Sequence, residues 1–382
     1  MLKVRVRDSS VVKPKEETPK VFLWTSNIDQ LYVKHVQAVY FYRRPALTSY
    51  SSSCSDDFFN STILKDGLSK ALVTHYPIAG RLKRNESGRA EIECTGEGVI
   101  FIEAETDSLI KDLGEFTPNE QLMPISFTSI SHLVVDGVCG VNFFNAWSEL
   151  CRGVDNTRPI PFFDRTVLRA RDPPIVSFPH MEYKPPSMNI PPPLPFDSVH
   201  EVIAGHIWRC SCKARELKDD QETMISIPLD YRSRSRPPLP DGYFGNAIFH
   251  LTPTAISGDI VSKPLCYAVN LIHEIFMMST NNEYFRSALD FLELHPNIYT
   301  LAKSTQTFNG CNIRNSSWVK LPLYEADFGW GPPLYVGPGV IGLAGRSFLT
   351  PNPPGSGGGF SLIISLESDY HMNLFREHFY DI

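Results

Sequence analysis

The sequence predicts an α/β protein built in two halves. Three observations carry this reading. Short runs with two-residue alternation interleave with stretches of helical spacing. The mixture occurs on both sides of a segment, residues 159–195, that holds eleven prolines. The chain has 382 residues, of which 42% are hydrophobic and 12% aromatic, enough for two cores.

In chain order, Leu2-Lys3-Val4-Arg5-Val6-Arg7 alternates and predicts a strand with one solvated face. Val39 to Tyr42 predicts another. Asp66 is placed to cap a helix that runs to His75, with Leu68, Ala71 and Leu72 inward and Tyr76-Pro77 as its stop. Turn residues around Gly80 to Leu82 and Asn85 to Arg89 lead into strands Ala90 to Cys94 and Val99 to Ala104. A β-like run, Ile125 to Ile130, delivers Ser131-His132-Leu133-Val134-Val135-Asp136-Gly137. Beyond it Val138, Val141, Phe144, Trp147, Leu150 and Cys151 recur at helical spacing, with Gly153 as a stop.

Proline density forbids a helix or central strand over 159–195, which reads as an extended surface crossover. The α/β pattern resumes near residue 197. Strands are expected at Met224 to Leu229, Ala247 to Leu251, Trp318 to Leu323 and Phe360 to Leu366. Helices are expected behind Pro264, over Glu283 to Glu293, and over 370–379. The expected division is 1–158, a crossover 159–196, and 197–382.

Charge and composition narrow the function. Net charge is −6 and no basic tract occurs, which argues against nucleic acid as a partner. No apolar run reaches the ~20 residues a membrane span needs. The start of the chain lacks a signal-peptide pattern and its acids argue against a transit peptide. The eight cysteines form no CxxC pair, so free thiols in a reducing cytoplasm are expected, and no metal site. No GxSxG elbow is present, and Ser356 lies in a glycine loop, which argues against a serine hydrolase.

His132 and Asp136 stand four apart across a turn that Gly137 permits. A histidine there can face a cavity as a general base, with the aspartate turned inward in an ion pair. Taken alone, the stretch is read equally well as a strand end with Asp136 capping the next helix. A second stretch, Asp327-Phe328-Gly329-Trp330-Gly331, sets two glycines around a tryptophan. It reads alone as a tight turn with a buried indole.

Together the two stretches resemble the BAHD acyltransferases, the plant acyl-CoA-dependent family. Tyr76-Pro77-Ile78-Ala79-Gly80-Arg81-Leu82, Asp164-Arg165-Thr166, Arg232-Ser233-Arg234 and Gly242-Tyr243-Phe244-Gly245-Asn246 extend the likeness. It is greatest toward the shikimate/quinate hydroxycinnamoyltransferase branch. The resemblance implies a chloramphenicol-acetyltransferase-like fold with mixed sheets and a channel between two α/β domains. It implies direct hydroxycinnamoyl transfer from a CoA thioester to a hydroxyl acceptor such as shikimate or quinate. His132 would be the base, Asp136 an orienting residue paired with Arg232, and Trp318 an oxyanion donor. Arg232, Tyr243, Gly245 and Asn246 would meet the CoA phosphates. Tyr40, Lys303 and Ser316 would line the acceptor side, and Asp327 to Gly331 would be structural. Acyl-CoA enters as co-substrate, with no bound cofactor, and a monomer is expected.

The sequence also departs from that pattern. Lys303 stands where the branch carries an arginine for the acceptor carboxylate, and Ser316 replaces a threonine. Val36 and Ala38 replace hydroxyl residues, and Pro332 an arginine. Two blocks are missing against the family: a strand pair before the His132 stretch, and a strand plus helix after Pro195. The alternative is therefore a shortened, weakly active or inactive relative that binds CoA esters or partner enzymes.

Overall fold

The computed structural model describes residues 4–32, 34–43, 58–106, 128–154, 159–183, 199–301, 310–339, 341 and 343–381. The first strand, β1 (Val4–Val12), pairs antiparallel with β6 (Val99–Thr106). Among the described residues these two form a ribbon of their own, with Val6, Val11, Ile100 and Ile102 exposed. A second small sheet joins β2 (Phe22–Leu23), β5 (Ala90–Glu93) and β4 (Arg81–Arg84). Between β2 and β3 (His35–Phe41) a single helical turn, α1 (Asn27–Gln30), is fixed by a reciprocal cap between Ser26 and Asp29.

Helix α2 (Ser61–Thr74) begins at Asn60, whose side chain accepts from the Thr62 and Ile63 N–H groups. Asp66, expected as the cap, lies inside the helix. It pairs instead with Lys70 one turn on and with Lys15. β7 (Thr128–Ser131) leads to α3 (Gly137–Cys151), whose first turn is capped by Asp136 through the Cys139 N–H. Helices α2 and α3 approach closely at Gly67. A Cβ there would stand 2.3 Å from Cys151 Sγ and 3.1 Å from its backbone nitrogen.

The proline-rich crossover does not simply lie on the surface. Arg165 and Leu168, in a short 3₁₀ turn, and His180, Glu182 and Tyr183 further along are all buried. Its polar groups are satisfied inside the protein. His180 bridges Glu182 and Ser287, and Arg171 pairs with Glu283 and Asp290. Buried partners outweigh the expectation of an exposed linker.

The remaining chain forms α4 (Val199–Ala214), β8 (Glu222–Asp230), β9 (Ile248–Leu251), β10 (Thr254–Ile256), α5 (Ser257–Ser262), α6 (Leu265–Met278) and α7 (Asn282–Leu294). β11 (Ile313–Ser317), β12 (Tyr335–Pro338), β13 (Arg346–Pro351), β14 (Phe360–Ser365) and α8 (Asp369–Tyr380) follow. A six-stranded mixed sheet runs β10-β8-β11-β13-β14, with β9 also on β8. β11 is parallel to both of its neighbours, and the other pairs are antiparallel. Ile225, Ile227, Ile313 and Leu349 point from one face into the core under α4, α6 and α8. Residues 318–323, expected as a strand, instead turn: the Leu321 N–H bonds the Trp318 carbonyl, and Pro322 precedes a 3₁₀ turn. The strand ends one residue earlier, at Ser317.

The two halves of the chain interlock. β12 leaves the C-terminal half and pairs with β3, giving a three-stranded sheet β12-β3-β7. The Asp327 to Gly331 stretch packs into the N-terminal core. Phe328 contacts Tyr42, Phe144 and Trp147, while Trp330 stacks on Phe59. Asp327 accepts from the Gly329 and Gly331 N–H groups at 2.7 and 2.9 Å. Both glycines have positive φ, 100° and 90°, the backbone such a carboxylate-centred loop requires.

Replacing Gly67 with alanine is expected to push α2 off α3 and cost about 1–3 kcal/mol. Urea unfolding of the variant measures this, and an unchanged midpoint contradicts the close approach.

Candidate active site

His132 follows the last residue of β7, and its N–H is held by the Lys34 carbonyl at 2.9 Å. Its half-buried ring lies flat on Tyr32, with centroids 4.1 Å apart and planes 9° from parallel. Nδ1 meets Asn246 Oδ1 at 2.9 Å. The orientation of that amide is forced. Asn246 Nδ2 donates to Asp29 Oδ1 at 2.8 Å and to the His132 carbonyl at 2.7 Å, and both of those oxygens are acceptors. Oδ1 therefore accepts from His132, so Nδ1 carries the proton and Nε2 presents its lone pair. Among the described residues Nε2 has no hydrogen-bond partner. Burial lowers the His132 pKa from 6.5, Arg314 adds to this, and Asp136 and Asn246 oppose it. The ring is a neutral base at neutral pH.

Two buried ion pairs hold the turn that carries it. Asp29 pairs with Arg165 at 3.1 Å, with neither side chain exposed. Arg165 also donates to the Leu133 and Val134 carbonyls at 3.2 and 2.7 Å. Those carbonyls belong to the turn between β7 and α3, which has no ladder to satisfy them. Asp136 meets Arg232 through two bonds of 2.8 and 3.0 Å, the partner expected for it. It also accepts from the Cys139 and Ala247 N–H groups. Capping and ion pairing are thus both served by this one carboxylate. Burial alone would raise its pKa, but Arg232 and the backbone donors hold it below the ordinary value.

The other expected site residues are placed as follows. Arg232, Tyr243, Gly245 and Asn246 surround Asp136 and His132. Tyr243 and Asn246 are closed off from solvent, and Arg232 donates to the Gly245 carbonyl at 2.9 Å. The Tyr243 hydroxyl is buried and has no hydrogen-bond partner among the described residues. Tyr40 is buried and stacked on Phe144 of α3, 4.1 Å between centroids. Trp318 packs edge-on against Phe348, 5.3 Å away. Ser316 lies beside Phe348 in the β11–β13 register. Lys303 lies outside the described residues.

Several members of the cluster escape sequence reading. Tyr32 OH bonds His250 Nε2 at 3.1 Å, and His250 Nδ1 bonds the Ser226 hydroxyl at 3.1 Å. Asp29 and Arg165 are joined only by the fold. The one local signal was Ser26-x-x-Asp29, which is a capping spacing.

Two buried histidines, His75 and His250, and two half-buried ones, His132 and His200, are expected to make the protein acid-sensitive. Burial lowers His75 from 6.5 to about 4, and lowers His132, His200 and His250 as well. Unfolded, these rings bind protons below their ordinary pKa; folded, they resist. Stability is therefore full above that value and lost as pH falls toward the folded pKa values. From about pH 7 to about pH 5 the loss is expected to be on the order of 2–4 kcal/mol, read from denaturant midpoints. His75→Phe is expected to flatten part of that slope.

Comparison with known proteins identifies the family and the fold. The sequence matches the Transferase family profile over residues 2–127, 122–192 and 186–382. It is 41% identical to shikimate O-hydroxycinnamoyltransferase of Nicotiana tabacum, over 446 aligned positions that cover 100% of each chain. It is 36% identical to a hydroxycinnamoyl-CoA:5-hydroxyanthranilate N-hydroxycinnamoyltransferase of Avena sativa, covering 99% of this chain and 100% of that one. The fold is similar to the crystal structure of vinorine synthase, with TM-score 0.68, 20% identity and coverage of 97% and 96%. It is also similar to F. graminearum TRI101 complexed with coenzyme A and deoxynivalenol, with TM-score 0.73, 14% identity and coverage of 92% and 96%. The mixed α/β architecture is the two-domain, chloramphenicol-acetyltransferase-like fold, and the chain belongs to the BAHD acyltransferases of the Transferase family.

Proposed function

We propose that this acyltransferase moves a hydroxycinnamoyl group from a CoA thioester to a hydroxyl acceptor such as shikimate or quinate, with His132 as general base. The observation that carries the reading is the fixed tautomer of His132, Nδ1–H on Asn246 and a free lone pair on Nε2. Nε2 takes the proton as the acceptor oxygen attacks the thioester carbonyl. The new C–O bond forms, the C–S bond breaks, and the leaving thiolate recovers the proton from Nε2. Both substrates meet at one base in a channel between the N-terminal and C-terminal domains, so no acyl-enzyme is needed. Trp318 is the proposed oxyanion donor, through its indole N–H. Tyr40, Lys303 and Ser316 belong to the acceptor side of this reading. Asp136 and Asn246 are the positioning groups of this reading, Asn246 through the His132 ring and carbonyl, and Arg232, Tyr243, Gly245 and Asn246 are the proposed groups on the CoA-phosphate side.

The relatives support the reaction class. Their names specify shikimate, 5-hydroxyanthranilate and anthranilate as acceptors, so both oxygen and nitrogen nucleophiles occur among them. All three acceptors carry a carboxylate. The unpaired cysteines support a reducing, cytoplasmic setting, and a monomer is the form proposed.

A second reading is a shortened relative that binds CoA esters without turning them over. Three observations favour it. The family match breaks at 122–127 and at 186–192, near the two departures expected from the sequence. The alignment to the tobacco enzyme runs over 446 positions, although the chain has 382. Among the described residues the β1–β6 ribbon stands as its own sheet and leaves Val6, Val11, Ile100 and Ile102 exposed.

Purified protein with p-coumaroyl-CoA and a panel of shikimate, quinate and 5-hydroxyanthranilate separates the two readings by CoA release. Turnover is expected, with His132→Ala lowering it ~10²–10⁴-fold. Equal rates from both proteins rule out the base. Turnover by neither, with CoA-ester binding retained, supports the second reading. Asn246→Ala is expected to lower kcat about 10–100-fold by freeing the ring. The acid limb of kcat/KM should lie below the ordinary imidazole value, the direction in which burial moves His132.

A further inference from the structure

Tyr32 lies flat against His132 and has no part in the reaction as described above. Its ring centroid stands 4.1 Å from that of the imidazole, with the planes 9° from parallel. The phenol is held from two directions. Tyr32 follows the C-cap of α1, and its backbone N–H donates to the Asp29 carbonyl at 3.1 Å. Its hydroxyl is bonded to His250 Nε2 on β9 at 3.1 Å, and His250 Nδ1 to the Ser226 hydroxyl on β8 at 3.1 Å. The backbone end is thus fixed by the N-terminal half and the hydroxyl end by the large sheet. Tyr32 is buried, and a buried phenol needs such a partner for its O–H.

Asn246 and Tyr32 constrain the imidazole in different ways. The bond at Nδ1 chooses the tautomer, but a hydrogen bond tolerates about 30° of misalignment. The ring torsion of histidine is broad as well. A flat stack removes that freedom, because rotation of the imidazole drives its edge into the phenol ring. The plane of the ring, and with it the line of the Nε2 lone pair, is then fixed. The stack also answers the charge that the reaction creates. When Nε2 takes the acceptor proton, the ring becomes an imidazolium lying on a π face, where a cation is attracted. The attraction is greater for the cation than for the neutral ring, so it grows as the proton transfers. We propose that Tyr32 is a positioning residue for the general base: anchored through His250, its ring sets the plane of the His132 imidazole and stabilises the imidazolium formed during transfer. The inference rests on the reading of His132 as that base.

The charges around the stack leave the phenol neutral. Asp136, paired with Arg232, and Arg314 on β11 act on both rings, and Asp29, paired with Arg165, acts on Tyr32. Burial is the largest influence on each ring; it raises the Tyr32 phenol and lowers His132. Burial and then Arg314 hold His250 well below 6.5, so the anchor is neutral too. The hydroxyl bonds His250 and not His132, so no proton passes between the stacked rings. Tyr32 therefore acts on His132 through its π face and its shape.

The test is the titration of His132 in the full chain, followed by NMR of histidine-labelled protein. It is run beside kcat and KM with p-coumaroyl-CoA and the acceptors named above. Tyr32→Phe and Tyr32→Leu both lose the hydroxyl and differ in the ring, so the difference between them reports the stack. Tyr32→Leu is expected to lower the His132 pKa by about half a pH unit to one pH unit and to move the acid limb of kcat/KM the same way. It is expected to lower kcat about ten-fold or more, with KM for the thioester within about two-fold. Tyr32→Phe keeps the stack and is expected to recover most of both effects. An unmoved His132 titration in Tyr32→Leu overturns the proposal, as does an unchanged kcat, or an equal loss in the two variants. Should Tyr32→Leu fail to fold, a fluorinated phenylalanine at position 32 keeps the shape and depletes the π face. A His132 pKa that does not fall in that protein overturns the proposal equally. His132→Ala in the same series keeps the two readings apart. Turnover by His132→Ala at the full rate sinks the general base. Loss of turnover in His132→Ala, with Tyr32→Leu unchanged in rate and titration, sinks the role of Tyr32 alone. The titration needs no turnover, so a protein that transfers nothing sinks acyl transfer and still decides the stack.

Discussion

The amide of Asn246 has one orientation that satisfies its neighbours, and the chemistry of the site depends on it. Its nitrogen faces two oxygens that can only accept. Its oxygen must then take the proton of His132 Nδ1. A side chain that does not titrate thereby decides which imidazole nitrogen carries the lone pair. Asp29 is the anchor beneath it, because it receives both the side-chain and the backbone nitrogen of Asn246. Arg165 neutralises Asp29 and gathers the carbonyls of the turn in the same hand. One chain of bonds runs from a short helix near the start, through the proline-rich crossover, to His132.

Charge is buried at the seam between the two halves of the chain. Desolvating two ion pairs is costly and yields little net stability. What they supply is specificity, because neither half can slide without stranding a charge. The aromatic cluster around Trp330 fixes α3 from its far side, through Phe328 against Phe144 and Trp147. The helix that Asp136 caps is thus held at one end by ions and along its flank by rings. The two sequence stretches that first drew attention are the two ends of one support.

The strongly periodic elements were legible: α3, α6, α7 and the strand over 222–230 follow from spacing and turn residues. Asp66 was misread because its spacing suits a cap equally well, and only the fold shows Asn60 taking that place. Residues 318–323 read like a strand, yet β11 has already ended at Ser317 and the chain turns at Pro322. The crossover was misread because proline content speaks of backbone geometry and not of burial, and Arg165 is drawn inside by a carboxylate. His132 and Asp136 were recognisable from their spacing and company. The bond of Asn246 to Asp29 was not legible, since the partner is 217 residues away and no local pattern records it. Tyr32 and His250 were invisible for the same cause: only the fold sets them against His132.

The strand that leads to His132 has β3 as its neighbour, and β3 is completed on its other edge by β12, nearly three hundred residues downstream. Pairing of this kind closes a very long loop and is slow to form. During synthesis the N-terminal half therefore leaves the ribosome with an open sheet edge and an unfilled aromatic core. Both wait for residues 327–338 to emerge. Until then the exposed edge is a surface for unwanted association, and His132 has no fixed place. A chain stopped short of that point would not be a smaller enzyme with one domain; it would be a half without its closing strand.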